Sequence, residues 1–119
     1  MKAAETFGDL IVWQKSHCPV LAVYKMTSQF PDREMYGLSS QLRRAAVSVP
    51  ANIAEGFKKR GRPDKLRYLN IAQGSLEETR YCLVLARDLG YISRENIPDV
   101  GAVSQLLHNY VKAIQKSAI

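Results

Sequence analysis

The chain has 119 residues, 46% of them hydrophobic and 24% charged, and its 17 lysines and arginines against 11 acidic residues give a formal net charge of +6. One domain spanning residues 1–119 is expected, large enough to bury a core without metals or disulfides and too small for two domains with a catalytic cleft between them. No run approaches the ~20 apolar residues of a membrane span and no signal-peptide pattern opens the chain, so a cytoplasmic protein without a membrane partner is expected.

Four segments carry the apolar period of a helix, and the period of a strand is missing, which makes the expected class all-α. The first helix is expected over about residues 9–29, with Asp9 as N-cap and Leu10, Trp13, His17, Val20, Leu21, Tyr24 and Thr27 on one stripe. Pro19 lies inside it and predicts a kink or a helix in two pieces. Phe30-Pro31 ends it.

The second helix, residues 36–57, carries Leu38, Leu42, Ala45, Val49 and Ile53 inward. The stripe keeps its phase across Pro50, which predicts one helix bent there rather than two. A loop from Lys58 to Asp64, with Gly61 and Pro63, leads to the third helix, residues 64–89. There Leu69, Leu76 and Leu83 recur every seven residues with Ala72, Thr79 and Ala86 between them, the seam of a left-handed bundle, and Gly90 takes the left-handed position after it. The fourth helix, residues 94–117, buries Val100, Val103, Leu107, Tyr110 and Ile114, with Pro98 in its first turn. Short connections make this an antiparallel up-down-up-down four-helix bundle.

Val12-Trp13-Gln14-Lys15, Phe30-Pro31, Tyr36-Gly37-Leu38, the run Gln41-Leu42-Arg43-Arg44-Ala45-Ala46-Val47-Ser48-Val49-Pro50-Ala51-Asn52-Ile53-Ala54-Glu55-Gly56, Gly74-Ser75-Leu76-Glu77-Glu78 and Leu89-Gly90-Tyr91-Ile92 together carry a resemblance. The sequence resembles the four-helix-bundle family encoded in intervening sequences of bacterial 23S ribosomal RNA genes. The resemblance covers residues 10–92 and is most specific between Gln41 and Gly56. It implies assembly of identical chains into a ring, usually a pentamer. The architecture is also similar to the accessory variability protein of diversity-generating retroelements, a basic pentameric barrel that contacts nucleic acid and a reverse transcriptase. The family brings no settled reaction with it.

The surplus charge is concentrated. Between Arg43 and Arg67 lie eight basic residues and two acidic ones, and the rest of the chain carries nine of each. A hairpin of helices 2 and 3 turning near Gly61 pairs residue numbers that sum to about 122. Arg43 and Arg44 then share a level with Glu77 and Glu78, Glu55 with Arg67, and Asn52 with Asn70. Arg43 and Arg44 are read either as interhelical or intersubunit partners of Glu77 and Glu78, or as phosphate contacts. Asn52, Glu55 and Arg67 are read as structural polar groups, because a carboxylate near the core needs a partner. Gly74-Ser75 is expected to let two helices approach closely.

Lys58, Lys59, Arg60, Arg62 and Lys65 are the candidate anion-binding residues, the alternative being a solvated loop that keeps the bundle soluble. Phe57 and Tyr68 flank them as core residues or stacking surfaces. His17, His108, Cys18 and Cys82 fall at no metal-ligand or nucleophile spacing, so no metal, cofactor or catalytic residue is expected. Cys82, Leu85 and Leu89 beside the leucine seam, with Ile11, Val12 and Val23 on helix 1, exceed what one core holds and point to self-association. The expected function is a non-enzymatic homo-oligomer that binds RNA or DNA through the basic loop. The rival is a scaffold whose loop docks an acidic or reverse-transcriptase-like protein partner.

Overall fold

The computed structural model describes residues 3–117, which form four helices and three 3-10 turns with no strand among the described residues. The helices are α1 (Ile11–Thr27), α2 (Leu38–Lys58), α3 (Arg62–Asp88) and α4 (Gly101–Gln115). Each packs on the next and α4 returns to α1, so α1 lies diagonal to α3 and α2 to α4 in an up-down bundle of 49 × 25 × 20 Å.

The start of α1 differs from expectation. Asp9 belongs to a 3-10 turn, Phe7–Asp9, and its carboxylate accepts the N–H groups of Thr6 at 3.1 Å and Glu5 at 2.9 Å. Those bonds hold its pKa below the ordinary carboxylate value. α1 itself begins at Ile11 and runs through Pro19 as one helix.

The buried stripe of α1 is also rotated from the expected one. Val12, Ser16, Val20, Val23 and Thr27 are buried, whereas Leu21 is 59% and Tyr24 46% exposed. Two hydroxyls sit in this stripe because the helix satisfies them itself: Ser16 donates to the Trp13 carbonyl at 2.8 Å and Thr27 to that of Val23 at 2.7 Å. Small buried residues bring α1 close to its neighbours. Trp13, His17 and Tyr24 are left along the flank, with Trp13 and His17 stacked at 5.2 Å. Val12, Val23 and Cys82, expected as surplus apolar surface, are core residues.

α2 crosses Pro50 as a single helix and buries Leu42, Ala45, Ala46, Val49 and Ile53. The α3 seam of Leu69, Ala72, Leu76, Thr79, Leu83 and Ala86 is buried throughout, as its heptad spacing implies. The Ser75 hydroxyl donates to that of Ser48 at 2.8 Å, within one residue of the register that a turn at Gly61 sets. A Cβ on Gly56 would lie 3.2 Å from the Tyr68 Cβ and 3.3 Å from the Lys65 carbonyl, so this glycine lets the last turn of α2 press on the first of α3. Gly74 does not have the close-approach role expected of it. It is exposed, and an added Cβ would meet nothing within 4 Å.

Gly90, at φ +82°, closes α3 with its N–H on the Arg87 carbonyl and that of Tyr91 on Ala86, both at 2.9 Å. The Tyr91 hydroxyl then donates to Glu34 at 2.7 Å, and the other Glu34 oxygen accepts the Leu38 N–H at 3.2 Å. The Tyr91 bond first and the Leu38 bond second hold the Glu34 carboxyl below its ordinary value. α4 starts later than expected. Residues Arg94–Asn96 make a 3-10 turn, and Pro98 precedes the helix instead of entering its first turn. Asp99 accepts the Gly101 N–H at 3.0 Å and forms the turn that launches α4.

The two mid-helix glycines make opposite predictions. Gly74→Ala should raise the unfolding free energy by about 0.5–1 kcal/mol, the helix preference of alanine over glycine in open space. Gly56→Ala should lower it by about 1–2 kcal/mol, because overpacking against α3 outweighs that preference. Urea denaturation of both variants measures the contrast, and equal shifts would mean that α2 does not need a glycine there.

Candidate nucleic-acid interface

The basic segment between α2 and α3 is shorter than its composition suggests: only residues 59–61 are non-helical. Pro63 lies in the first turn of α3, where its missing N–H has no helical partner to lose, so α3 starts at Arg62. The connection lies at the end of the bundle where α2 and α4 finish. Each of those helices leaves carbonyl groups without intrahelical donors and a partial negative charge.

Two of the five candidate cations answer that need. Lys65 Nζ donates to the Phe57 carbonyl at 2.8 Å and to that of Gly56 at 3.4 Å, capping α2. Arg62 Nη1 donates to the Gln115 carbonyl at 3.0 Å, at the last residue of α4. Both cations come from the first turn of α3, which touches both helix ends. Lys59 is half-buried with Nζ 5.0 Å from the Tyr68 ring centre, and the Arg67 guanidinium lies 4.9 Å from the same ring. Tyr68 is thus occupied by cations. Lys58 and Arg60 are exposed. The topology adds two cations that the sequence reading missed, Lys112 on the last turn of α4 and Lys116 just past it, both exposed at this same end. The signal was available, because an up-down bundle must bring the end of α4 to the connection between α2 and α3.

The remaining candidates share levels but not partners. The Arg43 Nε donates to the Thr27 hydroxyl at 2.7 Å, and its guanidinium lies 4.9 Å from the Tyr24 ring centre, on the α1 side. Arg44 is exposed, and Glu77 faces Arg80 at 3.7 Å on its own helix, with Glu78 exposed. The expected interhelical pairs of Arg43 and Arg44 with Glu77 and Glu78 are therefore not formed. Arg43 lies five residues before Ser48, about 140° around the helix from the flank that meets α3. Arg67 pairs with Asp64 at 3.8 Å rather than with Glu55. Asn52 donates to the Ser48 carbonyl at 2.7 Å and hydroxyl at 2.9 Å, and Asn70 is exposed.

Glu55 is exposed and lines a cleft of about 450 Å³ with Glu5, Thr6, Phe7, Ala54, Phe57 and Lys58. No periodicity announces this cleft, because the short turn at residues 7–9 reaches α2 only through tertiary packing. The Cys82 thiol is pushed above its ordinary pKa by burial and secondarily by Glu78, the reverse of what a nucleophilic thiol requires. No helix among the described residues is long and apolar enough to cross a membrane.

The family model described as 23S rRNA-intervening sequence protein matches residues 8–113, and the chain belongs to this family. A solved structure from Bacteroides thetaiotaomicron, described as a protein with unknown function from the S23 ribosomal protein family, is 28% identical. It aligns with a TM-score of 0.77 over 86% of this chain and 96% of its own. No curated protein matches.

The division of the cations into caps and exposed charges is testable by stability alone. Lys65→Ala should cost about 1 kcal/mol of unfolding free energy, and Arg60→Ala should stay within about 0.5 kcal/mol of the parent. Urea unfolding curves separate the two, and a neutral Lys65→Ala would return Lys65 to the solvated set.

Proposed function

We propose that this member of the 23S rRNA-intervening sequence protein family is a non-enzymatic, self-associating bundle that binds RNA or DNA through its basic end. The observation that carries the reading is the state of Lys58, Lys59 and Arg60: among the described residues, none of them forms an ion pair with a carboxylate. Lys112 and Lys116 extend the same surface. Cations without a carboxylate partner gain most from phosphates, whose condensed counterions are released on contact. The solved relative is described as having unknown function, so charge and geometry are the support.

Self-association has its own support. Leu21, Tyr24 and Val47 are exposed along α1 and α2, and Ile71, Tyr81 and Val84 along α3. Because α1 and α3 are diagonal, these apolar strips face different ways. A surface with two different apolar faces favours head-to-tail contacts, which close into a ring where the rotation between copies permits, over a twofold dimer. A pentamer, which the sequence resemblance implies, is the assembly proposed. Light scattering on the purified chain should report a multiple of 13.4 kDa, and a monomer at micromolar concentration would remove this part of the proposal.

Binding is tested by anisotropy titration with RNA and duplex DNA across a salt series. The logarithm of the affinity should fall linearly with the logarithm of salt concentration, by roughly one unit of slope per phosphate contacted. Replacing Lys58, Lys59 and Arg60 together with alanine should reduce that slope by about three and weaken all sequences alike. An unchanged slope would refute the basic end as the site. Binding of an acidic polypeptide with no binding of nucleic acid would favour the scaffold reading.

A further inference from the structure

We infer that the cleft between the N-terminal turn and the last turn of α2 takes one unpaired nucleobase carrying an exocyclic amino group, while the flanking phosphates lie on Lys58, Lys59 and Arg60. The inference rests on the nucleic-acid reading above and adds to it a preference for single strands. At about 450 Å³ the cleft falls in the range of roughly 300–1,000 Å³ typical of small-ligand sites. It lies against a run of three consecutive cations that form no ion pair with a carboxylate among the described residues, since its wall residue Lys58 is followed directly by Lys59 and Arg60.

The walls suit a base and not a phosphate. Phe7 and Phe57 supply two aromatic rings and Ala54 a methyl group. Phe7 is 40% exposed yet held from behind, with its ring edge-on to Trp13 at 4.9 Å and Trp13 stacked on His17 at 5.2 Å. Phe57 is steadied by Lys65, whose Nζ lies 5.7 Å from its ring centre while capping α2. Rings positioned in this way lose little freedom when a planar base stacks on them. The Glu55 carboxylate accepts hydrogen bonds and cannot donate. It repels a phosphate and accepts from the amino group of cytosine, adenine or guanine. Uracil and thymine place carbonyl oxygens where those amino groups would be and are disfavoured. In a duplex the base faces are stacked and the pairing edges occupied, so the cleft stays empty and only the phosphate contacts remain.

The test is an anisotropy titration of the full chain at fixed salt, with oligo-cytidine and oligo-uridine single strands and a duplex. All are of roughly 12 nucleotides, within the ~4–16 covered by one small single-strand-binding domain. Oligo-cytidine should bind roughly tenfold more tightly than the duplex, about the contribution of one aromatic stack. It should also change the emission of Trp13, the one tryptophan, through the Phe7 contact. Phe7→Ala and Phe7→Leu should each abolish the single-strand advantage and leave duplex affinity unchanged. The leucine variant preserves apolar packing on Trp13 if the alanine variant unfolds the turn. Glu55→Gln should narrow the preference for cytidine over uridine. Equal affinity for single strand and duplex, or an equal loss for both in the Phe7 variants, overturns the base cleft and leaves the basic-end reading standing. Failure of every nucleic acid to bind overturns both.

Discussion

α2 and α4 end at the same end of the bundle, and the carbonyls they leave there must be satisfied by something other than their own helices. α3 starts between them and supplies the donors from its first turn, Arg62 to Gln115 and Lys65 to Phe57 and Gly56. One helix start thereby closes two helix ends. That arrangement requires a short connection, a proline that can sit in the first turn of α3, and a glycine on α2 small enough to let the turns meet. It also explains why part of the positive charge is concentrated here: a cation at a helix C-terminus is favoured by the dipole as well as by its hydrogen bonds.

From that end the α2–α3 hairpin runs in a register set by small side chains. Gly56 meets Tyr68, Ser48 meets Ser75, and the alanines at positions 45, 46, 72 and 86 are buried along the seam. The hydroxyls that enter this packing are all satisfied, Thr79 by the Ser75 carbonyl at 2.8 Å and Ser48 by Asn52 and Ser75. At the far end Tyr91 and Glu34 tie the exit of α3 to the entry of α2. Both ends of the hairpin are thus fastened by polar contacts and its middle by close packing, which holds the Phe57–Lys58 stretch in a fixed position beside the N-terminal turn.

The functional reading follows from this division of labour. Cations consumed in capping are unavailable to a ligand, and those outside the capping geometry, Lys58, Lys59 and Arg60, remain beside a cleft with aromatic walls. A surface that juxtaposes loose positive charge with fixed rings is suited to a polymer that is charged along its backbone and planar in its side groups.

Helix number, helix class, the α3 seam and the α2–α3 register were legible in the sequence, because leucine and alanine spacing and a glycine-proline turn determine them locally. The stop at Gly90 was legible for the same reason, since only its backbone conformation was at issue. The azimuth of polar residues was not legible. Sharing a level along two antiparallel helices is a matter of counting, whereas facing one another depends on how each helix is rotated against all its neighbours. Arg43 therefore turned to Thr27 instead of Glu77 or Glu78, and Arg67 to Asp64 instead of Glu55. The buried face of α1 escaped for a related reason: Ser16 and Thr27 look polar in sequence and become buriable only when their hydroxyls bond to their own helix. The net charge of the basic segment was determined by the sequence alone. Which of its cations cap helix ends and which remain for a ligand was decided by tertiary structure, because only the fold brings the carbonyls of α2 and α4 to the first turn of α3.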